Sequence, residues 1–389
     1  MIRAEPSRLP FLDTARGLAA LSVITWHCFT AIINHPESGK LYTSPFHFFL
    51  YGEADMIFFF VHSGFILSYS NAQFENEFSG IAFLKYLIRR ILRIYPVFLF
   101  ILFLSFVLIK TIYPIPATNY LSTHFLKFWT NPIQFKEVMQ QGLLAVRIPD
   151  NANLRLIPQD WTLTIEVLIC PLIPFINFLN RKSKIFCWLL VILMLKVFHF
   201  NTFLFEFVIG VNLYSFRHQI ATVWNKSHWS VKLIVLLFGI LYYTCFFSFP
   251  DIFNQENIFF SPAVDRAMVV AGCAIFFIFI LNSRFIQGMF NRPLLVKIGK
   301  ICYSLYLNHI FLLICFSNIF LVVLHRFLNG PEWLIILIFI LFFQLLTIAV
   351  SLVTYRFIEK PFNKWGRQAS IFISNHITAK FQKHNRPAS

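Results

Sequence analysis

Charged residues are scarce in this 389-residue sequence: Asp, Glu, Lys and Arg make up 13% of it, against roughly 25% in a soluble domain. Acidic residues are scarcer still, 17 against 33 Lys and Arg. With 58% hydrophobic residues and 51 Phe, aqueous folding would leave more apolar side chain than a single core could cover. A soluble globular chain is excluded. The seven cysteines, at 28, 170, 187, 245, 273, 302 and 315, lie in or beside apolar runs with no CxxC spacing; they are expected to be reduced and packed. No HExxH occurs and no His, Cys and carboxylate spacing compels a metal, so none is expected. Val61 stands two residues before Ser63, where a G-x-S-x-G elbow needs glycine, and the serine-hydrolase reading fails. Solenoid repeats, a convincing inverted repeat and low-complexity segments are also missing. The first apolar run lacks a small-residue cleavage pattern and is expected to stay as the first span.

What the sequence has is long apolar runs. Ten stretches read as spans, near 10–33, 53–70, 91–113, 162–179, 185–199, 201–216, 231–249, 265–282, 298–324 and 332–355. If the N-terminus is cytoplasmic, most of the 33 Lys and Arg fall on the inner side; the opposite orientation would invert the positive-inside bias. The fold expected is an all-α membrane protein of about ten transmembrane helices with both termini cytoplasmic. Topology and anionic lipid account for the net charge of +16, and no nucleic-acid partner is expected. Residues 1–364 form the expected membrane domain, and 365–389 read as a basic cytoplasmic tail. One connection is long: 114–160 holds Pro114, Pro116, Pro132, Pro149 and Pro158 and ends in Gln159-Asp160-Trp161, well placed to cover an outer vestibule.

Ionisable residues inside such spans are costly and usually functional. Arg16 and His27 are eleven residues apart, which returns to within roughly 20° of one helix face after about 16 Å of rise. Arg16 follows Asp13 by three residues, so it reads either as a snorkelling arginine paired at the membrane edge or as part of a functional stripe. His27 reads as a helix–helix hydrogen bonder or as a general base, since imidazole titrates near neutrality. Glu166 falls five residues past Trp161, about 7 Å along the axis. His27 is its expected partner, in the orienter–base logic of acyl transfer. Lys85, Arg89, Arg90 and Arg93 gather before the third span. They form an inner-face anchor or a phosphate clamp, because guanidinium forks grip phosphate bidentately. Asp55 opens the second span, where an acid suits a helix N-terminus, and His62 lies seven residues deeper. Tyr306 and His309 share a face of the ninth span, consistent with a packing hydrogen bond.

Taken in order, these segments resemble the acyltransferase 3 family of integral membrane acyltransferases. Leu12-Asp13-Thr-Ala-Arg16-Gly17 with His27 resembles its opening arginine-x10-histidine motif. Asp55 through Phe65 resembles its second-span aspartate, aromatic run and Ser63-Gly64-Phe65. Arg89-Arg-Ile-Leu-Arg93-Ile-Tyr-Pro96 is similar to its basic motif. Trp161-Thr-Leu-Thr-Ile-Glu166 matches its tryptophan–glutamate motif, with Thr162 where Ser is commoner. Glu206 to Gly210, Tyr303 to His309 and Arg356-Phe-Ile-Glu359-Lys-Pro361 complete the series. Two positions depart from the pattern: Asn308 stands where an aromatic is usual and His62 where an aliphatic is usual, and both are expected to tune the cavity.

The resemblance implies transfer of an acyl group, most often acetyl, from acyl-CoA to a saccharide hydroxyl, with no resident cofactor. It implies catalytic roles for His27 and Glu166 and donor binding by Arg16, Arg89, Arg90 and Arg93. Asp13, Asp55, Ser63, Trp161, Tyr306 and His309 would support them. The partners implied are acyl-CoA, membrane lipid and a surface polysaccharide, lipid-linked saccharide or peptidoglycan. The location implied is the bacterial cytoplasmic membrane, multi-pass. Some relatives carry an added soluble esterase-like domain; none is expected here. The rival reading is a proton-coupled secondary transporter using His27, Glu166 and Asp55. The weak repeat signal and the lack of matched Gly/Pro-broken helices count against it.

Overall fold

The computed structural model describes residues 9–32, 51–75, 78–112, 120–123, 125–128, 133–144, 155–198, 201–244, 262–328 and 330–384. Cys245 and parts of 114–160, including Pro114, Pro116, Pro132 and Pro149, lie outside the described residues. Helices build the whole architecture, and no strand occurs among the described residues. In chain order they are α1 (Pro10–Ile32), α2 (Gly52–Ser70), α3 (Gly80–Ile112), α4 (Phe135–Gly142), α5 (Asp160–Ile169), α6 (Ile173–Lys182), α7 (Lys184–Lys196) and α8 (Leu204–Ser215). There follow α9 (Arg217–Lys226), α10 (Trp229–Tyr243), α11 (Pro262–Asn282), α12 (Arg284–Phe290), α13 (Pro293–Lys300), α14 (Cys302–Phe327), α15 (Glu332–Thr354) and α16 (Lys360–His384). Each of the expected apolar stretches overlaps one of these helices. Six are long and apolar enough to cross a membrane: α1, α3, α5 with α6, α11, α14, and α15 running on to Ile373. α8 and α10 are apolar but shorter. Phe103, Ile185, Phe198 and Leu345 point outward, as a lipid-facing surface requires.

Local chemistry sets the breaks. Ser183 and Ser283 cap α7 and α12 by accepting the amides of Phe186 and Ile286, as N-cap hydroxyls do. Pro171 and Pro174 interrupt the fourth stretch, and a 3-10 turn over Cys170–Leu172 joins α5 to α6. Pro174 has no amide to give the Cys170 carbonyl. That carbonyl accepts the Ile173 amide of the 3-10 turn and also the Tyr86 hydroxyl at 2.7 Å, which pins α3 to the break. A second irregularity, a π-helical turn over Tyr355–Glu359, links α15 to α16 and is followed by Lys360 and Pro361. Single π turns favour functional sites, and this one carries Glu359.

α14 is the central helix, with 67% of its span buried. It packs on α1, α3 and α15 around Ile24, Phe98, Leu313 and Phe339. α2 is held on the other side, against α8, α1 and α11. Two crossings bring backbones together. A Cβ on Gly64 would collide with the Phe207 carbonyl, and one on Gly210 with the Val61 carbonyl. Likewise a Cβ on Gly17 would lie 2.8 Å from the Gly299 amide. Small residues allow this approach where lipid gives helices no hydrophobic reason to associate. Side-chain hydrogen bonds add register: Gln344 donates to the Leu21 carbonyl (2.8 Å) and to Thr25 (2.7 Å), fixing α15 on α1. The first part of the expected tail is helical. α16 continues the chain as a helix lying along α3, with Gly366 against Leu92 and Arg89.

Candidate active site

At the bundle end where α1, α3 and α14 begin, α1, α2, α3, α13, α14, the π turn and α16 surround a cavity of about 590 Å³. Seven basic side chains line it, Arg16, Arg89, Arg90, Arg93, Lys300, Lys360 and Arg367, against two carboxylates, Asp13 and Glu359. We call this the basic end. Arg89 and Arg93 stand one turn apart on α3, so their guanidiniums project from one side. Lys360, Asn363 and Arg367 recur at helical spacing on α16 and face the same space. Glu359 is held by the Ser304 hydroxyl, which donates to it at 2.6 Å.

A narrower cavity of about 70 Å³ lies beyond. Arg16, Ile66, Arg90, Arg93 and Tyr303 line both spaces, so three guanidiniums ring the passage between them. Glu166 lines the narrow cavity, with its carboxylate 3.8 Å from Arg90. The Tyr303 hydroxyl donates to the Ile94 carbonyl at 2.6 Å and locks α14 to α3 there. The Tyr306 and Thr162 hydroxyls, also in its lining, meet at 2.8 Å. Both approach the Gln159 carbonyl, at 3.2 and 3.0 Å. One turn further along α14, buried His309 lies against Tyr306, and its ring centroid is 5.1 Å from that of His27.

The structure gives the expected site residues these neighbours. Glu166 follows Thr162 by one turn, about 6 Å of rise, in the direction of the arginines. It therefore sits at the guanidinium ring, paired with Arg90, and the ring facing His27 is that of His309. Depth along two helices cannot be read from hydropathy to within a turn, and the contacts seen are Glu166 with Arg90 and His27 with His309. Asp55 is buried and accepts a hydrogen bond from Tyr243 at 2.8 Å, tying α2 to α10. Ser63 and His62 both line the narrow cavity, and one ring nitrogen of His62 is anchored 3.1 Å from the Leu12 carbonyl. Trp161 packs on Phe60 and Phe203. Asn308 donates to the Ser304 carbonyl, Ser351 and Thr354; it couples α14 to α15 and does not line either cavity. Among the described residues no three His, Cys, Asp or Glu side chains gather closely enough to hold a metal ion. The six described cysteines are free and buried.

A family model described as an acyltransferase domain matches residues 9–356. The chain belongs to the acyltransferase 3 family. No curated protein and no solved structure matches it. In this membrane acyltransferase the matched region ends inside the π turn, three residues short of Glu359. The cations that sequence reasoning passes over lie mostly beyond that limit. Lys360 and Arg367 read there as closing motif and tail, yet their seven-residue spacing is a helical signal. Lys300 reads only as an inner-side charge.

Proposed function

We propose that this acyltransferase takes its acyl group, most simply acetyl, from acyl-CoA held in the basic cavity. It passes the group to a hydroxyl of a cell-envelope saccharide: a surface polysaccharide, a lipid-linked saccharide or peptidoglycan. The observation that carries the reading is the excess of seven cations over two carboxylates in a cavity of about 590 Å³ that leads, past Arg16, Arg90 and Arg93, to a smaller one lined in part by Met56, Phe59, Phe60 and Leu67. A donor with several phosphates and a slender acylated arm fits that combination of charge and shape. Arg89, Arg90, Arg93, Lys300, Lys360 and Arg367 would hold phosphates, with the arm running past Arg16 toward Tyr306. Glu166, 3.8 Å from Arg90, would help orient that guanidinium, and Glu359 would offset positive charge in the basic cavity.

His27 would then take the proton of the acceptor hydroxyl as its oxygen attacks the thioester carbonyl. The new C–O bond forms, the C–S bond breaks, and the proton passes to the departing thiolate to give free CoA. In the proposed setting the basic end faces the cytoplasm of a bacterial cell, in its inner membrane, and the acceptor approaches from the other side. Purified protein in liposomes, given radiolabelled acetyl-CoA and envelope glycans, should yield labelled glycan. Label accumulating inside the vesicles with no glycan product would overturn the reading in favour of transport.

A further inference from the structure

His309 lies deep in α14 with no exposed surface. Its Nδ1 is 2.6 Å from the Tyr306 carbonyl. A carbonyl only accepts, so Nδ1 carries the proton and Nε2 presents a lone pair. The ring is further constrained by what surrounds that turn. The Gln159 amide, arriving from the segment before α5, donates to the Leu307 carbonyl at 3.0 Å and approaches the Tyr306 carbonyl at 3.4 Å. Nε2 is buried and accepts no hydrogen bond. An acceptor left in that state is unfavourable, and an apolar side chain of similar size would fill the space without that penalty. The ring beside it is that of His27, tilted by 37° at 5.1 Å between centroids. The two imidazoles are neighbours, and a hydrogen bond between a nitrogen of half-buried His27 and Nε2 would form on reorientation of the His27 ring. Catalytic hydrogen bonds are often long or misaligned in resting enzymes and tighten when substrate binds.

We propose that His309 is the positioning partner of His27, accepting its N–H at Nε2 during acyl transfer. The inference rests on the acyl-transfer reading above. The bond assigns the tautomer of His27, leaving its other nitrogen as the lone pair that meets the acceptor hydroxyl. Orientation by an imidazole adds no net charge inside a span, where a carboxylate would be unfavourable. The hydroxyl proton goes to the far nitrogen of His27 and then to the thiolate. His309 gains and loses no proton over the cycle; it shares the second N–H of the transient imidazolium.

The test uses the full chain in liposomes, with acetyl-CoA as donor, chitooligosaccharide or water as acceptor, and thiol release as readout. His309→Gln offers an amide oxygen in place of Nε2, whereas His309→Met is of similar size with only a weakly accepting sulfur. H309M is expected to lower kcat by about 10²-fold, with KM for acetyl-CoA within about twofold. H309Q should retain at least about tenfold more activity than H309M. H27A/H309M should be no slower than H27A alone, because residues that act as one unit are not additive. Equal rates for H309Q and H309M, a matching rise in donor KM, or additive losses in the double variant would each overturn the proposal. A wild-type protein that binds no acetyl-CoA and releases no thiol would instead overturn the donor reading.

Discussion

Arg16 lines both cavities, and His27 follows it by three turns on α1, beyond the Tyr306–Thr162 contact. The two residues do different work in the proposed reaction, so their loss should separate in kinetics. His27→Ala is expected to reduce acyl transfer by about 10²–10⁴-fold, the usual contribution of a general base, while acetyl-CoA still binds. Transfer at the wild-type rate in that variant would remove His27 from the chemistry. Neutralising Arg90 and Arg93 should act on the donor instead. A charged hydrogen bond is worth about 1.5–3 kcal/mol, so each Arg→Gln change should raise the acyl-CoA KM at least about tenfold. Arg217, which donates to the Tyr214 carbonyl at 2.7 Å and lines neither cavity, is the matched control. These arginines were legible in the sequence because four cations in nine residues cannot sit in lipid without purpose. The position of Glu166 was not legible, because it depends on how far α5 slides along α14, which the Thr162–Tyr306 contact and the Gln159 hydrogen bonds to Tyr306 and Leu307 fix.

Helices meet most closely where the sequence places glycine, and the α2–α8 crossing is the clearest case. Gly64 and Gly210 each face a backbone carbonyl of the other helix, with no room for a Cβ. Forcing one in must part the helices or bend them, which costs about 1–3 kcal/mol for ordinary overpacking. Gly64→Ala should therefore lower the thermal midpoint in detergent. Gly288→Ala on α12, where a Cβ would meet nothing within 4 Å, should leave it unchanged or raise it. Equal midpoints for the two variants would show that α2 and α8 do not cross at Gly64. The long elements were readable from hydropathy because twenty or so apolar residues admit few other structures. α16 was not: it is polar and basic, and its helix is revealed by its docking along α3. The π turn was equally hidden, although Pro361 marked the place where an ordinary helical hydrogen bond had to be given up.

The whole molecule is asymmetric along one axis. Arg16, Arg89, Arg90, Arg93, Lys300, Lys360 and Arg367 converge at the end where α1 begins. The opposite end of α2, α8 and α11 carries the buried Glu206 with Arg266, joined at 2.6 Å. Basic residues collect on the cytoplasmic side of membrane proteins, which is also where acyl-CoA is made. The same asymmetry should decide both topology and the side from which donor enters. The described thiols are all buried, so, once Cys245 is replaced by serine, an introduced cysteine reports with little background. Lys226→Cys, exposed at the end of α9, should react with a membrane-impermeant maleimide only after cells are permeabilised. Lys136→Cys, exposed on α4 near the far end of α3, should react in intact cells. In inside-out vesicles acetyl-CoA added to the bath should then support transfer, and in right-side-out vesicles it should not. The reverse labelling pattern would place the basic cavity away from the acyl-CoA pool, and the donor held there would have to be something other than CoA.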